Sequence, residues 1–351
     1  MQRRTNMALK NRFEFIILFS AIMCNPNGDP NFNNAPRQDE ETGNGIMTDV
    51  CIKRWLRNYV AYAYMGKDGM EIVMKDGTSI NKHIAEAVFS ANKIASAESL
   101  PKNSKGKRVN PKPEESARYL CDRYWDMRAF GGVMSTGLNA GQIRGAVQLE
   151  MPVSIDPVQV SNLSITRMCY AETSGDLNTI EDYEKEEEGR SSDMKRTMGE
   201  KQIVYYGLYA LRGTISAAFA EKTGFSEKDL NVLCEALIQM FSHNVSSSKA
   251  GMHLETPVIL FKHVGTQDET NAEEKAREAK LGCVPAQKLF KLLEVHKKDG
   301  VEYPRSTNDY DICFNLSALP DGVEVGFKEM PFEDFVWGED IRKREYDIEV
   351  K

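Results

Sequence analysis

Phe13-Glu14-Phe15-Ile16-Ile17-Leu18-Phe19 is followed by Asn25-Pro26-Asn27-Gly28-Asp29-Pro30 and then by Thr48-Asp49-Val50-Cys51-Ile52-Lys53-Arg54-Trp55-Leu56-Arg57-Asn58. The first run, rich in aromatic and β-branched residues, predicts a buried strand. The second opens a segment, Asn25 to Gly45, with three prolines and many asparagines, which predicts a long ordered loop. In the third, Thr48 is placed to cap a helix and Asp49 suits its first turn, with the helix running to about Tyr64. On that helix Lys53, Arg57 and Arg54 fall within an arc of ~100°, whereas Tyr59, Ile52, Ala63 and Leu56 cluster between ~240° and ~300°. A helix packed by one side and basic on the other, entered from a polar loop, suits a nucleic-acid backbone. A solvated amphipathic face would read the same from spacing alone.

Outward from this stretch, Met65 to Glu98 reads as a small hairpin and a short helix, and Leu100 to Pro113 as a basic, exposed, mobile loop. Glu114 to Met127 returns to helix, and Ile143 to Ile155 and Asn162 to Ala171 read as strands. Glu172 to Lys201 is charge-dense and nearly free of apolar residues, so it should project from the body. Ile203 to Ala218 is strand-like, Ser226 opens a helix with Leu230, Leu233, Leu237 and Phe241 on one face, and Leu254 to His263 is a last strand. From Asp268 onward the chain reads as helical, then irregular. The order strand, helix, strand, strand, helix, strand is the α+β, ferredoxin-like pattern shared by RNA-recognition domains.

The 351 residues carry 41% hydrophobic and 28% charged side chains, the balance of a globular protein of one elaborated domain or two. A formal net charge of −7 argues against coating nucleic acid through bulk charge, and leaves room for a local basic groove. From Pro101 to Arg128 there are eight Lys/Arg against four Asp/Glu, and from Asp321 to Lys351 ten acidic against five basic. Seven scattered cysteines without a Cys-x-x-Cys pair encode neither a zinc ribbon nor a disulfide framework, which fits reduced thiols in the cytoplasm. Arg3, Arg4, Lys10 and Arg12 before Phe13 to Met23 imitate a signal peptide, but Glu14 and Ser20 interrupt the stretch and Met23 sits where a small residue is wanted. No run reaches the ~18 apolar residues of a membrane span.

Chemistry is sparse. The five histidines lack zincin spacing, and Ser246-Ser247-Ser248-Lys249 has no legible Ser/His/Asp order around it. Asp29-x-Asn31-x-Asn33 with Glu40 imitates a calcium loop, yet Asn34 occupies the required glycine position. The run Arg128 to Gly137, continuing to Gly141 and Gly145, meets neither nucleotide fingerprint. Its glycines suit close approach of a nucleic-acid backbone, with Phe130 available for stacking, though a surface loop would have the same composition. No catalytic residue, metal or cofactor is expected.

Asn25-Pro-Asn-Gly-Asp-Pro30, Pro36-Arg37, Thr48 through Asn58, Phe130-Gly-Gly, Gln142-Ile-Arg-Gly145, Met198-Gly through Tyr206-Gly-Leu-Tyr and Ser248-Lys-Ala-Gly-Met252 together resemble the backbone subunit of type I-C CRISPR surveillance complexes, in the RAMP superfamily. The resemblance spans roughly residues 11 to 265. It implies an RNA-recognition-like palm with finger and thumb insertions. The palm would take 11–64, 114–171 and 202–265, the finger 65–113, the thumb 172–201, and an accessory segment 266–351. It implies copies polymerised in a helical filament on a CRISPR RNA, each thumb displacing a guide base, with the guide presented to a target DNA strand. Other Cascade subunits would complete the assembly, a recruited helicase-nuclease would cut, and no membrane is involved. Lys53, Arg54 and Arg57 would contact guide phosphates, with Asn25, Asn27, Arg37, Phe130, Gly131, Gly132, Gln142, Arg144, Arg167 and Lys249 lining the groove. Lys249 stands where arginine is expected, keeping charge and losing bidentate geometry. The enzyme alternative is an endoribonuclease of the same superfamily using Asp29 or Asp39, or His243.

Overall fold

The computed structural model describes residues 7–173, 175–268 and 270–351; Arg3 and Arg4 of the signal-like N-terminus lie outside them. Strand β1, Phe13–Cys24, is longer than its apolar run and is buried along nearly its whole length. It has neighbours on both edges and both faces, which is why its apolar residues are consecutive rather than alternating. Phe13, Phe15, Ile17, Phe19 and Ala21 face one core, and Ile16 and Leu18 the other. At Met23 the backbone is left-handed, with φ of 47°. The side-chain alternation shifts there, and Cys24 joins the first core.

The following loop is built from a two-residue ladder, β2 (Gly28–Asp29) with β3 (Ala35–Pro36), and from β4 (Asn44–Ile46). Helix α1, Asp49–Ala63, begins as expected at Thr48, whose hydroxyl accepts from the Cys51 N–H. Its buried face is Ile52, Trp55, Leu56, Tyr59 and Val60.

Several local expectations are corrected downstream. Met65 to Glu98 contains no hairpin. The chain turns until α2, Ile80–Asn92, and this turn-rich stretch is held by the buried Asp126 carboxylate, which accepts from the Val73 and Met74 N–H groups. The single helix expected over Glu114 to Met127 breaks at Tyr124, whose extended backbone separates α3 (Pro113–Arg123) from α4 (Trp125–Ala129). The strand expected over Ile143 to Ile155 is three short ones. These are β6 (Gln142–Arg144), paired with β5 (Gly131–Val133), then β7 (Val147–Leu149) and β8 (Val153–Pro157), both paired elsewhere.

Strand β9 (Val160–Arg167) runs antiparallel to the first part of β10 (Thr197–Ile215), and between them lies α5, Ile180–Gly189, opened by a Thr179/Asp182 capping box. After β10 come α6 (Ala217–Thr223) and α7 (Glu227–His243), the latter with a Ser226/Asp229 capping box. Asp229 also takes a two-point ion pair from buried Arg128, 2.6 and 3.1 Å, which locks α4 against the start of α7. The last expected strand is two, β11 (Met252–Leu254) and β12 (Val258–His263); between them the Thr256 hydroxyl accepts from Leu18 N–H at 2.9 Å.

The remainder is more ordered than its composition suggests. It holds α8 (Ala272–Leu281), α9 (Ala286–Phe290), β13 (Leu293–Lys297), β14 (Tyr310–Phe314), β15 (Val323–Lys328), β16 (Val336–Trp337) and β17 (Glu349–Val350). Strand β15 pairs with β12, so the main antiparallel sheet reads β16-β15-β12-β1-β10-β8-β4. Helices α1 and α7 cover one face of it. The other face is covered by the C-terminal segment, where Leu289, Phe290, Leu293, Phe314 and Phe327 meet Ile16, Leu18, Leu208 and Phe261. The fold is thus α+β, with an apolar core on each side of the sheet and a third apolar cluster, including Ile84, Val88, Leu120 and Tyr124, around α2 and α3. Within it His263 is structural: its Nε2 donates to the buried Glu14 carboxylate at 2.7 Å while its Nδ1 accepts from the Cys283 N–H.

Candidate nucleic-acid interface

The asparagine-rich loop and the start of α1 form one hydrogen-bonded unit. The Asn27 side-chain oxygen accepts from both the N–H (2.9 Å) and the hydroxyl (3.1 Å) of Thr48, so the loop caps the cap. The Asn27 carbonyl accepts from the Arg37 N–H, and Asp29 binds the Arg37 guanidinium at 2.7 Å. Asn33 and Asn34 turn the chain in left-handed conformations that asparagine tolerates. Asn25 is buried. Its amide donates to the Asn34 carbonyl at 2.7 Å and its N–H to the Ser248 carbonyl. Lys249 donates to the carbonyls of Pro26 (2.8 Å) and Asn25 (3.3 Å) and lies over the Trp55 ring. Burial holds its ammonium below the ordinary lysine pKa. Lysine suits this position because two carbonyl oxygens need a point donor rather than a planar fork.

The basic arc of α1 lies along the α4–β5 segment. Lys53 pairs with Asp49 one turn back at 2.7 Å, and its ammonium sits 5.9 Å from the centre of the Phe130 ring. Arg57 binds the fully buried Asp126 at 2.9 Å and stands 5.1 Å from the same ring. Phe130 in turn meets Trp125 edge-on. Arg54 is exposed, with one contact to the Met74 carbonyl. Of the three cations, Arg54 and the outer side of Lys53 are therefore presented to solvent, while Arg57 also holds α1 to α4. Gly131 has φ of +70°, and a Cβ there would stand 2.2 Å from the Ile143 carbonyl oxygen. The glycine serves the crossing of β5 and β6 within the chain, and Phe130 is half-buried by its own neighbours.

Gln142 and Arg144 are exposed on β6, and the Arg144 guanidinium lies 4.5 Å over the Phe219 ring. Gly132 follows Gly131 on the paired strand. Arg167 is not gathered with the others. It sits at the far end of the β9–β10 ladder, opposite Thr197, about 23 Å along the strand from Val160 at strand rise. Sequence reasoning missed Lys201, which donates to the Ser247 carbonyl. With Asn25, Asn33, Asn34, Glu200, Gln202 and Ser248 it lines a cavity of about 400 Å³. Only the β10 pairing brings Lys201 beside the loop, so no local signal marks it. Trp55 and Asp126 were missed for the same reason.

The carboxylates of the enzyme alternative have structural work. Asp29 accepts from the Asn31 N–H besides pairing with Arg37, and the Asp39 carboxyl, held below the ordinary carboxylate range by the Thr42 and Glu41 N–H groups, closes its own turn. His243 packs edge-on against Tyr59 at the end of α7. Among the described residues no three His, Cys, Asp or Glu side chains are grouped so that they could hold a metal ion.

Residues 11–315 match the family model described as CRISPR-associated protein Cas7. The chain belongs to the Cas7 family. A CRISPR-associated protein Cas7 from Haloferax volcanii is 28% identical over 265 residues, covering 70% of this chain and 68% of the relative. Among solved structures, a chain of a CRISPR RNA-guided surveillance complex, pre-nicking, is 15% identical with a TM-score of 0.44, covering 78% of this chain and 84% of that one. A second CRISPR RNA-guided surveillance complex chain has a TM-score of 0.38 at 14% identity, with coverage of 83% and 78%. In this Cas7 chain the family match takes in the loop, α1, the α4–β5 segment and Lys249 alike. Among the described residues no helix is long and apolar enough to cross a membrane.

Proposed function

We propose that this protein is a non-catalytic backbone subunit of a type I-C CRISPR RNA-guided complex in the cytoplasm, gripping the guide RNA through its phosphates. Copies line the guide as a helical filament beside other Cascade subunits and present it to a target DNA strand, and a recruited helicase-nuclease does the cutting. The observation that carries the reading is the Cas7 family match across residues 11–315. The strand order β12-β1-β10-β8, with α1 and α7 on one face, supports a ferredoxin-like, RNA-recognition palm. Residues 65–113 then serve as the finger and 172–201 as the thumb.

The geometry also supports one way for such a palm to hold RNA. RNA-recognition domains stack bases on the exposed face of the sheet. Here that face is sealed by the C-terminal segment, and the groove beside it carries the carboxylates Glu255, Asp311, Asp347 and Glu349 against Lys298 and Lys351, which pair with Asp311 and Glu349, a lining that is net acidic and disfavours phosphate. The grip falls instead to the loop–helix unit, through Lys53, Arg54, Arg37, Lys201 and the N-terminus of α1.

The test is Lys53→Ala with Arg54→Ala in protein purified with its RNA. Guides of every spacer sequence should be retained less well and to the same degree. The slope of log affinity against log salt should fall by ~0.7 for each phosphate contact removed. A loss confined to particular spacers, or cleavage of a complementary RNA at regular spacing that disappears in Asp39→Ala, would contradict the reading.

A further inference from the structure

The β15–β16 hairpin stands at one end of the main sheet, and β4 of the asparagine-rich loop at the other. Its tip is apolar. Phe332 is 85% exposed, the most of any large apolar side chain among the described residues, and Met330 and Trp337 of the same hairpin are exposed as well. The tip is also fixed. Pro331 is buried, and the Glu333 N–H donates to the Met330 carbonyl, which closes a turn. Phe335 is half-buried, with the ammonium of buried Lys328 5.6 Å over its ring. Trp337 lies against Gly326, where a Cβ would stand 2.9 Å from the indole. Apolar side chains exposed singly are ordinary on a protein surface, whereas three on one braced hairpin ask for an occupant. Beyond them, β16 ends the sheet, and among the described residues no strand pairs with its outer edge.

We propose that this hairpin is a docking site for an extended, basic segment of another protein, with apolar residues between its cations. Charge selects the partner. Residues 329–341 carry five carboxylates and no Lys or Arg. Glu333, Glu339 and Asp340 are matched by Arg344, Arg342 and Lys343, whereas Glu329 and Asp334 have no cation within ion-pair distance among the described residues. Burial, with Asp347 close by, holds the Glu329 carboxyl above the ordinary carboxylate range, a penalty that an arriving cation relieves. The same carboxylates repel a nucleic acid or an anionic lipid surface, and a two-fold contact with a second copy would set them against their own duplicates. Apolar residues on the partner are needed to cover Phe332 and Met330. An extended backbone can add to the open edge of β16 while its side chains alternate between apolar and basic. Because the turn is already fixed, little order is left to lose on binding. The inference goes beyond guide binding and does not depend on it.

The experiment uses the full chain purified with its RNA and short synthetic peptides carrying photoreactive leucine, whose cross-links are mapped to residues by mass spectrometry. The probe alternates leucine and lysine. One comparison peptide alternates leucine and glutamate, and another alternates serine and lysine around a single photoreactive leucine. The leucine–lysine peptide should cross-link saturably to residues 329–337, and the other two should not at the same concentration. Met330→Ala with Phe332→Ala should raise its half-saturating concentration there at least about tenfold, because two apolar anchors are lost. Glu329→Gln with Asp334→Asn should raise it severalfold at low salt and less at high salt. All four side chains are exposed, so RNA retention and the thermal midpoint should stay as in the parent. Cross-links confined to the RNA or to other faces would overturn the proposal. So would equal saturation in the parent and either variant, or a leucine–glutamate peptide that binds as well. Dissociation of copies on replacing Met330 and Phe332 would give the face to a second copy and would also overturn it.

Discussion

Arg57 and Asp126 illustrate why a basic residue on a predicted phosphate-facing arc cannot be assigned by spacing. The Asp126 carboxylate is fully buried and accepts from Arg57 and from the Val73 and Met74 N–H groups. Removing the guanidinium leaves a buried charge with only two neutral donors. Arg57→Ala should therefore lower stability by about 2 to 4 kcal/mol, read as a drop in the urea midpoint. An unchanged midpoint would return Arg57 to the set of residues held free for ligand. Gly131→Ala should be as damaging for a different reason, since both a left-handed φ and a 2.2 Å approach to the Ile143 oxygen must be relieved. A cost of about 2 kcal/mol or more is expected in the same measurement.

Among elements, α1 was legible to the residue because its signals are local: a threonine cap, an acidic first turn and an apolar stripe. The strands after Gly141 were not, because glycine and proline divide an apolar stretch into three pieces, one paired with β5 and two with β10. The C-terminal strands were hidden too; short and polar on one side, they look irregular until β12 and the sheet face are there to receive them. Their cover is a core rather than an appendage, with Phe314 packed between Phe261 and Phe327. Phe314→Ala should cost about 3 to 5 kcal/mol by cavity formation. A loss below about 1 kcal/mol would mean that the segment docks loosely on the sheet.

For the molecule as a whole, the scattered cysteines set a pH limit. Burial pushes the Cys24 thiol up to about 11 and those of Cys121 and Cys234 up to about 12. Because the folded values lie above the unfolded one, the stability they contribute is complete below the ordinary thiol pKa, ~8.5, and is lost as pH rises toward the folded values. The urea midpoint should fall steadily from about pH 9 to about pH 11, and Cys234→Ala should shrink that fall. A midpoint flat across the window, or a variant that falls as steeply as its parent, would show that these thiols do not set the alkaline limit.

Cap residues, apolar periodicity and turn-forming asparagines act over a few positions, so the strand, loop and basic helix at the start of the chain could be read directly from their order. The charge partners of that helix act through space. Asp126 lies 69 positions beyond Arg57, and Lys249 reaches back 223 to Pro26. Which cations remain free, and which face of the sheet is open, were settled only when β1, β10 and β12 came together and the last sixty-odd residues closed over one side. Pairing and burial join residues by distance in space, and the order of the chain carries no record of that distance.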